Sequence, residues 1–595
     1  MKPARLIGVG VGPGDPELIT MKAVRVLRDA DLVVVPVLAV PGGSEPAPEP
    51  GRAETIIGEY VAAGKIRRLA FALNDTGGVT PRRAAAWQDA AAAVAREFAA
   101  GASTVAFGTI GDPNLYSTFS YLAQTVRELV PGVHVETVPG ITAMQDLAAR
   151  AGISLAEGTE PVTLVPLNAG AGALDEALEM GGAVVGYKLG AAASPAPDVL
   201  RDHLAGAGRL DGAVVGARLG LPGETIGPAA RLAGMPDIPY LSTLIVPARR
   251  PPRTGSGLRT VPQETGHAPS KQTPAVESAS PGESRPAVES AYPGESAFPR
   301  ENGFPGESRP ARESASPRES ASPASGKVWF VGAGPGAPDL LTLRGAAAVA
   351  AADIVIWASS LVHPGVLSHA GPNAETVDSA RLPMEGVLPY YRRAAQEGLR
   401  VARIHSGDPA LWGAVQEQLD QCAALGLPTE VVPGVSSFTA VAARIGRELT
   451  IPEVAQSVIL TRLGGGKTPM PPGERVSEFA RHGTTMALFL SAARSGQLQE
   501  ELLAGGYPPR TPCVVAYQVS WDDELIVRCE LAELAATIRS RKLWKHTLVL
   551  VGPGLAAGGT RSHLYHPGHF HEYRKADRQA RRELRREDST KGGGT

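Results

Sequence analysis

Cysteine, net charge and long apolar runs are all scarce in this chain. Its 595 residues hold three cysteines, Cys422, Cys513 and Cys529. They are widely spaced and form no C-x-x-C pair, which excludes a disulfide framework and a zinc ribbon and favours a reducing compartment. The formal net charge of -2 gives no general reason to expect a nucleic-acid or anionic-membrane partner. The longest apolar run near the start, Leu32 to Val40, is interrupted by Pro36 and falls far short of the roughly 20 residues a membrane span needs. The beginning of the chain has no signal-peptide layout. These absences lead to the expectation of a cytoplasmic protein acting on small molecules.

Glycine (69) and proline (52) are abundant, and the chain is too long for one ordinary core. Between about Arg250 and Gly326 the composition shifts to Pro, Ser, Glu, Gly and Arg in near-repeats such as "ESASPGESRPAVESAYPGES". Too few large apolar residues occur there to offset the entropy of ordering, so a disordered linker over 250–326 is expected. As a flexible coil it would span roughly 50 Å and let the flanking modules rotate freely. It divides the chain into modules 1–249 and 327–555, followed by a tail, 556–595.

The two modules repeat one another. Each starts with an apolar strand, a Gly/Pro turn and a helix: "GVGVGPGDPELIT" from Gly8 and "GAGPGAPDLLT" from Gly332. "TVAFGTIGDPNLYST" from Thr104 matches "VARIHSGDPALWGA" from Val401, and "VHVETVPGITAMQDLAA" from Val133 matches "PTEVVPGVSSFTAVAA" from Pro428. Equal order and near-equal spacing indicate duplication of whole domains. Continuous apolar strands alternating with helical patterns predict α/β architecture with parallel sheets.

A glycine turn between strand and helix would ordinarily suggest a dinucleotide or phosphate. Here proline stands where the helix should open with glycine, and no Lys-Ser/Thr follows, so neither fingerprint is met. Asp15 with Pro16 can cap a helix, and Asp112-Pro113 and Asp408-Pro409 have the same form. The second copy carries Ala337 in place of Asp15, which for a cap alone would cost about 1 kcal/mol. If Asp15 also serves chemistry, the second module should be impaired or should use Asp339.

Taken together, "GVGPGDPELIT", "GTIGDPNLYSTFSYL" and "VPGITA" resemble the tetrapyrrole (cobalamin-pathway) methylases that use S-adenosylmethionine. The first module, with "GDPNLYSTFSYL" and "YLSTLIV", is most similar to members acting on carbon 20 of precorrin-2. The second, with "RIHSGDPALWGAVQEQL" and "VVPGVSSFTAVAARIGRELTIPEVAQSVILTR", is most similar to members acting on carbon 11 of precorrin-4. The resemblance implies a bifunctional methyltransferase, with two α/β subdomains per module, a cofactor cleft between them, and often a homodimer. It also implies cofactor contacts at Gly111, Asp112, Leu115, Thr142 and Ala143, and at Gly407, Asp408, Leu411, Ser436 and Ser437. The turns Gly12, Pro13, Gly14 and Asp15, and Gly334, Pro335 and Gly336, would line the tetrapyrrole trough, with Asp15 as a weak catalytic candidate. Trp412 stands where the family usually has tyrosine, as at Tyr116.

A macrocycle bearing several carboxylates calls for cations, and Arg82, Arg83, Arg381 and Arg462 are candidates by position only, each reading first as an ordinary solvated arginine. His563, His566, His569 and His571 cluster in the tail but no cysteine or carboxylate framework fixes a geometry, so no metal site is assigned. Two readings stay open beside the bifunctional one: a different acceptor for the same fold, or one module reduced to a binding scaffold.

Overall fold

The computed structural model describes residues 3–38, 46, 49–71, 81–191, 194–233, 235, 238–250, 326–451, 454–465, 470 and 473–556. Residues 251–325 of the linker and 557–595 of the tail, with its four histidines, lie outside the described residues.

The first module opens with a parallel sheet of β1 (Arg5–Gly10), β2 (Leu32–Leu38), β3 (Ile66–Phe71), β4 (Thr104–Thr109) and β5 (His134–Val138), in the order β3-β2-β4-β1-β5. Near-continuous apolar residues suit strands buried on both faces. Separate cores lie against the two sides, one holding Ile19, Leu27 and Ile56, the other Trp87, Phe107 and Phe119. A second sheet follows: β6 (Val162–Pro166), β7 (Ala183–Tyr187), β8 (Val214–Ala217), β9 (Thr225–Pro228) and β10 (Ser242–Val246), ordered β6-β7-β10-β8-β9.

The second module repeats this. Its parallel sheet is β11 (Lys327–Gly332), β12 (Ile354–Trp357), β13 (Glu375–Asp378), β14 (Arg400–His405) and β15 (Thr429–Val432), ordered β13-β12-β14-β11-β15. Its mixed sheet, ordered β16-β17-β20-β18-β19, comprises β16 (Val458–Arg462), β17 (Thr485–Phe489), β18 (Pro512–Tyr517), β19 (Leu525–Glu530) and β20 (Thr547–Val551). Identical strand order in both modules bears out the duplicated α/β fold.

The expectation of freely rotating modules is corrected. β6 pairs antiparallel with β16, Val458 opposite Leu164 and Leu460 opposite Val162, so the two mixed sheets form one of ten strands. Left alone, each of these edges would expose unpaired amides and carbonyls. One apolar core crosses the junction, holding Leu147, Val162 and Leu164 with Phe438, Val441 and Leu460. At the far end of the contact the Met21 amide donates to the Leu341 carbonyl and the Leu343 amide to the Ile19 carbonyl, both at 3.0 Å. The modules are thus halves of an internal pseudo-dimer.

The capping expectation holds in part. Asp15 accepts from the Glu17 amide at 3.0 Å, but it opens only the three-residue turn Pro16–Leu18; the helix Met21–Asp29 is capped by Thr20. Asp112 and Asp408 cap no helix, since the next helices start only at Phe119 and Val415. Their carboxylates do something else.

Candidate functional site

Three loops in each module leave the carboxyl ends of neighbouring strands: the Gly/Pro turn after β1, the Gly-Asp-Pro loop after β4 and the Pro-Gly turn after β5. After β1 the chain crosses one way, to β2, and after β4 the other way, to β5, so this edge is the switch point where open α/β sheets place ligands. Gly10, Gly111 and Gly140 meet there backbone to backbone: a Cβ on Gly10 would lie 2.6 Å from the Gly111 carbonyl oxygen and 2.7 Å from the Gly140 nitrogen. Gly332, Gly407 and Gly434 repeat the arrangement, with distances of 2.7 Å to the Gly407 oxygen and 2.5 Å to the Gly434 nitrogen. The Gly111 amide donates to the Gly12 carbonyl and the Gly407 amide to Gly334, both at 2.8 Å. Three motifs spread over more than a hundred residues are therefore one junction.

The buried aspartates fasten it. Asp112 accepts from the amides of Asn114 at 2.8 Å and Gly140 at 3.0 Å; Asp408 accepts from Ala410 at 2.9 Å and Gly434 at 3.1 Å. Burial pushes both carboxyls up to about 7 despite these bonds. Each aspartate ties the loop after β4 or β14 to the turn after β5 or β15. Thr142 and Ser436 are buried and stand immediately before the helices Ala143–Ala151 and Ser437–Ile445, while Ala143 and Ser437 are partly exposed. Leu115 and Leu411 are buried in the core shared by the modules. Gly111 and Gly407 keep partly exposed backbone.

Residues one beyond each leucine adopt left-handed backbone, Tyr116 at φ 52° and Trp412 at φ 54°. Such non-glycine strain clusters where a loop conformation is imposed from outside. Matching outliers occur at Lys188 and Leu490, after β7 and β17, and at Arg218 and Gln518, after β8 and β18. Tyr116 packs on Tyr187 with ring centres 5.0 Å apart, and Trp412 on Phe489 at 4.6 Å. An aromatic pair thus joins the two subdomains beside each junction. The buried indole nitrogen of Trp412 has no hydrogen-bond partner. Neither Lys188 nor Leu490 carried a readable signal, because positive φ at an ordinary residue is set by its surroundings.

The turns expected to line a trough, Gly12, Pro13, Gly14, Gly334, Pro335 and Gly336, are buried. Gly14 abuts the Leu219 backbone, and Gly336 lies against Ser520 and Trp521, whose indole donates to the Pro335 carbonyl at 2.8 Å. They close the junction from the second subdomain's side. Asp15 accepts from Arg344 of the second module at 2.7 Å and Arg150 at 3.2 Å, so its carboxylate is engaged on all sides. Where Ala337 lacks it, the Ala337 amide donates to Ser520 Oγ at 3.0 Å.

Of the candidate arginines, Arg83 sits near Lys188 and Tyr240; Arg52 lies beside Tyr240 and Arg218. Two cations from separate elements, Arg52 and Arg83, thus flank the half-exposed Tyr240, each with a further cation, Arg218 or Lys188, beside it. Burial holds Arg52 and Lys188 below their ordinary values, with neighbouring cations adding to the effect. Arg82 and Arg381 are exposed, and Arg462 lies near Arg494. No group of three His, Cys, Asp or Glu able to hold a metal occurs among the described residues. Nor does any described helix have the length and apolarity to cross a membrane.

The family described as Tetrapyrrole (Corrin/Porphyrin) Methylases matches residues 5–233 and again 327–535. The chain belongs to the tetrapyrrole methylases. A cobalt-precorrin-4 C(11)-methyltransferase of Methanocaldococcus jannaschii is 41% identical over 254 residues, 42% of this chain and 98% of its own length. A precorrin-4 C(11)-methyltransferase of a Sinorhizobium species is 41% identical over 248 residues, again 42% of this chain and 98% of its own length. A solved cobalt precorrin-4 methyltransferase is 38% identical, covering 39% of this chain and 96% of its own, with a TM-score of 0.38. Each of these tetrapyrrole methylases is the length of one module.

Proposed function

We propose that the protein is a bifunctional S-adenosylmethionine-dependent methyltransferase of corrin-ring construction, the first module methylating precorrin-2 at carbon 20 and the second precorrin-4 at carbon 11. The observation that carries this reading is the same three-loop junction, built twice at the switch point of a tetrapyrrole methylase fold. Relatives named for carbon 11 of precorrin-4 support one half of it; the carbon 20 assignment rests on the resemblance of residues 1–249.

The site fits such a donor: partly exposed backbone at Gly111 and Gly407, helix starts at Ala143 and Ser437, an aromatic wall, and the unpartnered Trp412 indole N–H. When bound, the donor supplies a methyl group activated on a sulfonium. The chain's task is then to hold an electron-rich macrocycle carbon in line with it, and such positioning is worth about 7 to 11 kcal/mol of barrier. Asp112 and Asp408 keep the donor loops in place, and Tyr116 with Tyr187, and Trp412 with Phe489, exclude water. Arg52, Arg83, Lys188 and Arg218 match the carboxylates of a tetrapyrrole. Ala337 gives little support to a degenerate second module, since Ser520 satisfies its amide.

The test is methyl transfer by the full-length chain from radiolabelled S-adenosylmethionine to precorrin-2 and precorrin-4, each cobalt-free and cobalt-bound. Label on both macrocycles is expected. Label on only one would favour the scaffold reading for the other module, and label on neither would point to another acceptor.

A further inference from the structure

The loop carrying Tyr116 is held from the second module. The Tyr116 amide donates to Thr450 Oγ1 at 2.7 Å, and the Thr450 hydroxyl donates in turn to Glu448 Oε1 at 3.2 Å. The Leu449 amide donates to the Asn114 carbonyl at 2.9 Å, and the Tyr116 hydroxyl to the Gln456 carbonyl at 2.8 Å. Glu448 and Thr450 are both buried. Glu448 also accepts from the Ser120 hydroxyl and the Ser117 amide of the first module and faces Lys188, whose ammonium sits 5.0 Å from the Tyr116 ring centre.

In the reverse direction Glu157 Oε1 of the first module accepts from the Gln416 amide at 3.0 Å, but around Trp412 the bonds are backbone to backbone. Amides of Leu155 and Ala156 donate to the Ala410 carbonyl at 2.9 and 3.0 Å, and the Trp412 amide donates to the Ala156 carbonyl at 2.9 Å. Ser154 and Ala156 stand where the second module has Glu448 and Thr450, so the Tyr116 amide is held by a neighbour's hydroxyl and the matching Trp412 amide by a neighbour's backbone carbonyl. A left-handed tyrosine needs such an external hold, because a strained residue persists only where surrounding contacts over-determine it.

We propose that Thr450, oriented by Glu448, is a positioning residue of the first module's donor site: the second module completes the loop that the first uses to bind S-adenosylmethionine. This rests on the proposed function. The first module's methyl transfer then depends on its neighbour through a contact that the second module's transfer does not share.

The test uses the full-length chain and S-adenosylhomocysteine as probe, titrated calorimetrically for two sites, with Thr450→Val, which strands the Tyr116 amide, and Thr450→Ser, which keeps the hydroxyl. One site should weaken about tenfold in the valine variant, as expected for a buried donor left unpaired. The other should stay within about twofold, and serine should restore the weakened site. Transfer to precorrin-2 should show the same loss as a raised KM for the donor, with transfer to precorrin-4 kept. Both sites unchanged, both weakened alike, or no rescue by serine would overturn the inference. Should Thr450→Val not fold, Glu448→Gln is read by the same titration, with a smaller loss at the same site expected and an unchanged isotherm counting against the proposal. A wild-type chain that binds no probe at all would overturn the functional reading itself, a result distinct from two intact sites in the variant.

Discussion

The two modules share a strand order and a junction, yet they lock the junction to the second subdomain differently. In the first, Arg150 is clamped by Asp146 at 2.8 Å, Glu224 at 3.1 Å and Asp15 at 3.2 Å, while Asp15 also reaches Arg344. In the second, the matching Arg444 pairs with Glu524 at 2.8 Å through its Nε, and Ala337 and Ala440 occupy the places of Asp15 and Asp146. There Trp521 and Ser520 fill the gap, bonding the Pro335 carbonyl and the Ala337 amide. A charge network in one copy and an aromatic with a hydroxyl in the other hold the same turn. Loss of Asp15 is therefore a change of fastening.

The comparison can be broken most severely by separating its halves. A 327–555 fragment bares the β16 edge and the apolar residues Phe438, Val441 and Leu460, so it should self-associate by size-exclusion chromatography and bind S-adenosylhomocysteine poorly as a monomer. Next come single substitutions in matched pairs. Arg150→Ala leaves the buried Asp146 without its cation and should cost about 3 kcal/mol in denaturant unfolding at pH 8; Arg444→Ala, whose guanidinium is half exposed, should cost about 1 kcal/mol or less. Gly14→Ala drives a methyl into the Leu219 backbone and should cost about 3 kcal/mol, whereas Gly336→Ala meets the Trp521 side chain at 2.5 Å, which can shift, for about 1 kcal/mol. Melting temperatures of the two variants should rank accordingly.

The two modules also share a pH dependence. Asp112, Asp408 and Glu448 are raised to about 7 and Asp146 to about 6, each chiefly by burial. The folded chain keeps protons that the unfolded chain releases near pH 4, so stability should fall as pH rises from about 4 to 7 and level off above. Thermal melts between pH 5 and 8 would show it. Asp112→Asn and Asp408→Asn should each flatten the slope by a similar share, and Asp146→Asn should remove a part that has no counterpart at Ala440.

Much of this was legible beforehand. The three motifs, their order and the glycines could be read directly, and glycine was needed because backbones meet where no Cβ fits. The fastening role of Asp112 and Asp408 was not readable: Asp-Pro looks alike whether the next amides belong to a helix or to a loop. Arg83 was found by position, but Arg52, Lys188 and Arg218 were not, because side chains from four separate elements share no spacing.

The sequence by itself determined the duplication, the parallel α/β modules and the family, since these depend on local apolar periodicity and on motifs that recur in order. Only the tertiary structure decided that the modules form one ten-stranded sheet and that Thr450 reaches the Tyr116 loop. Pairing between β6 and β16 is a contact across almost three hundred residues. It depends on two edges meeting in space, and no local pattern records which edge will be covered by which.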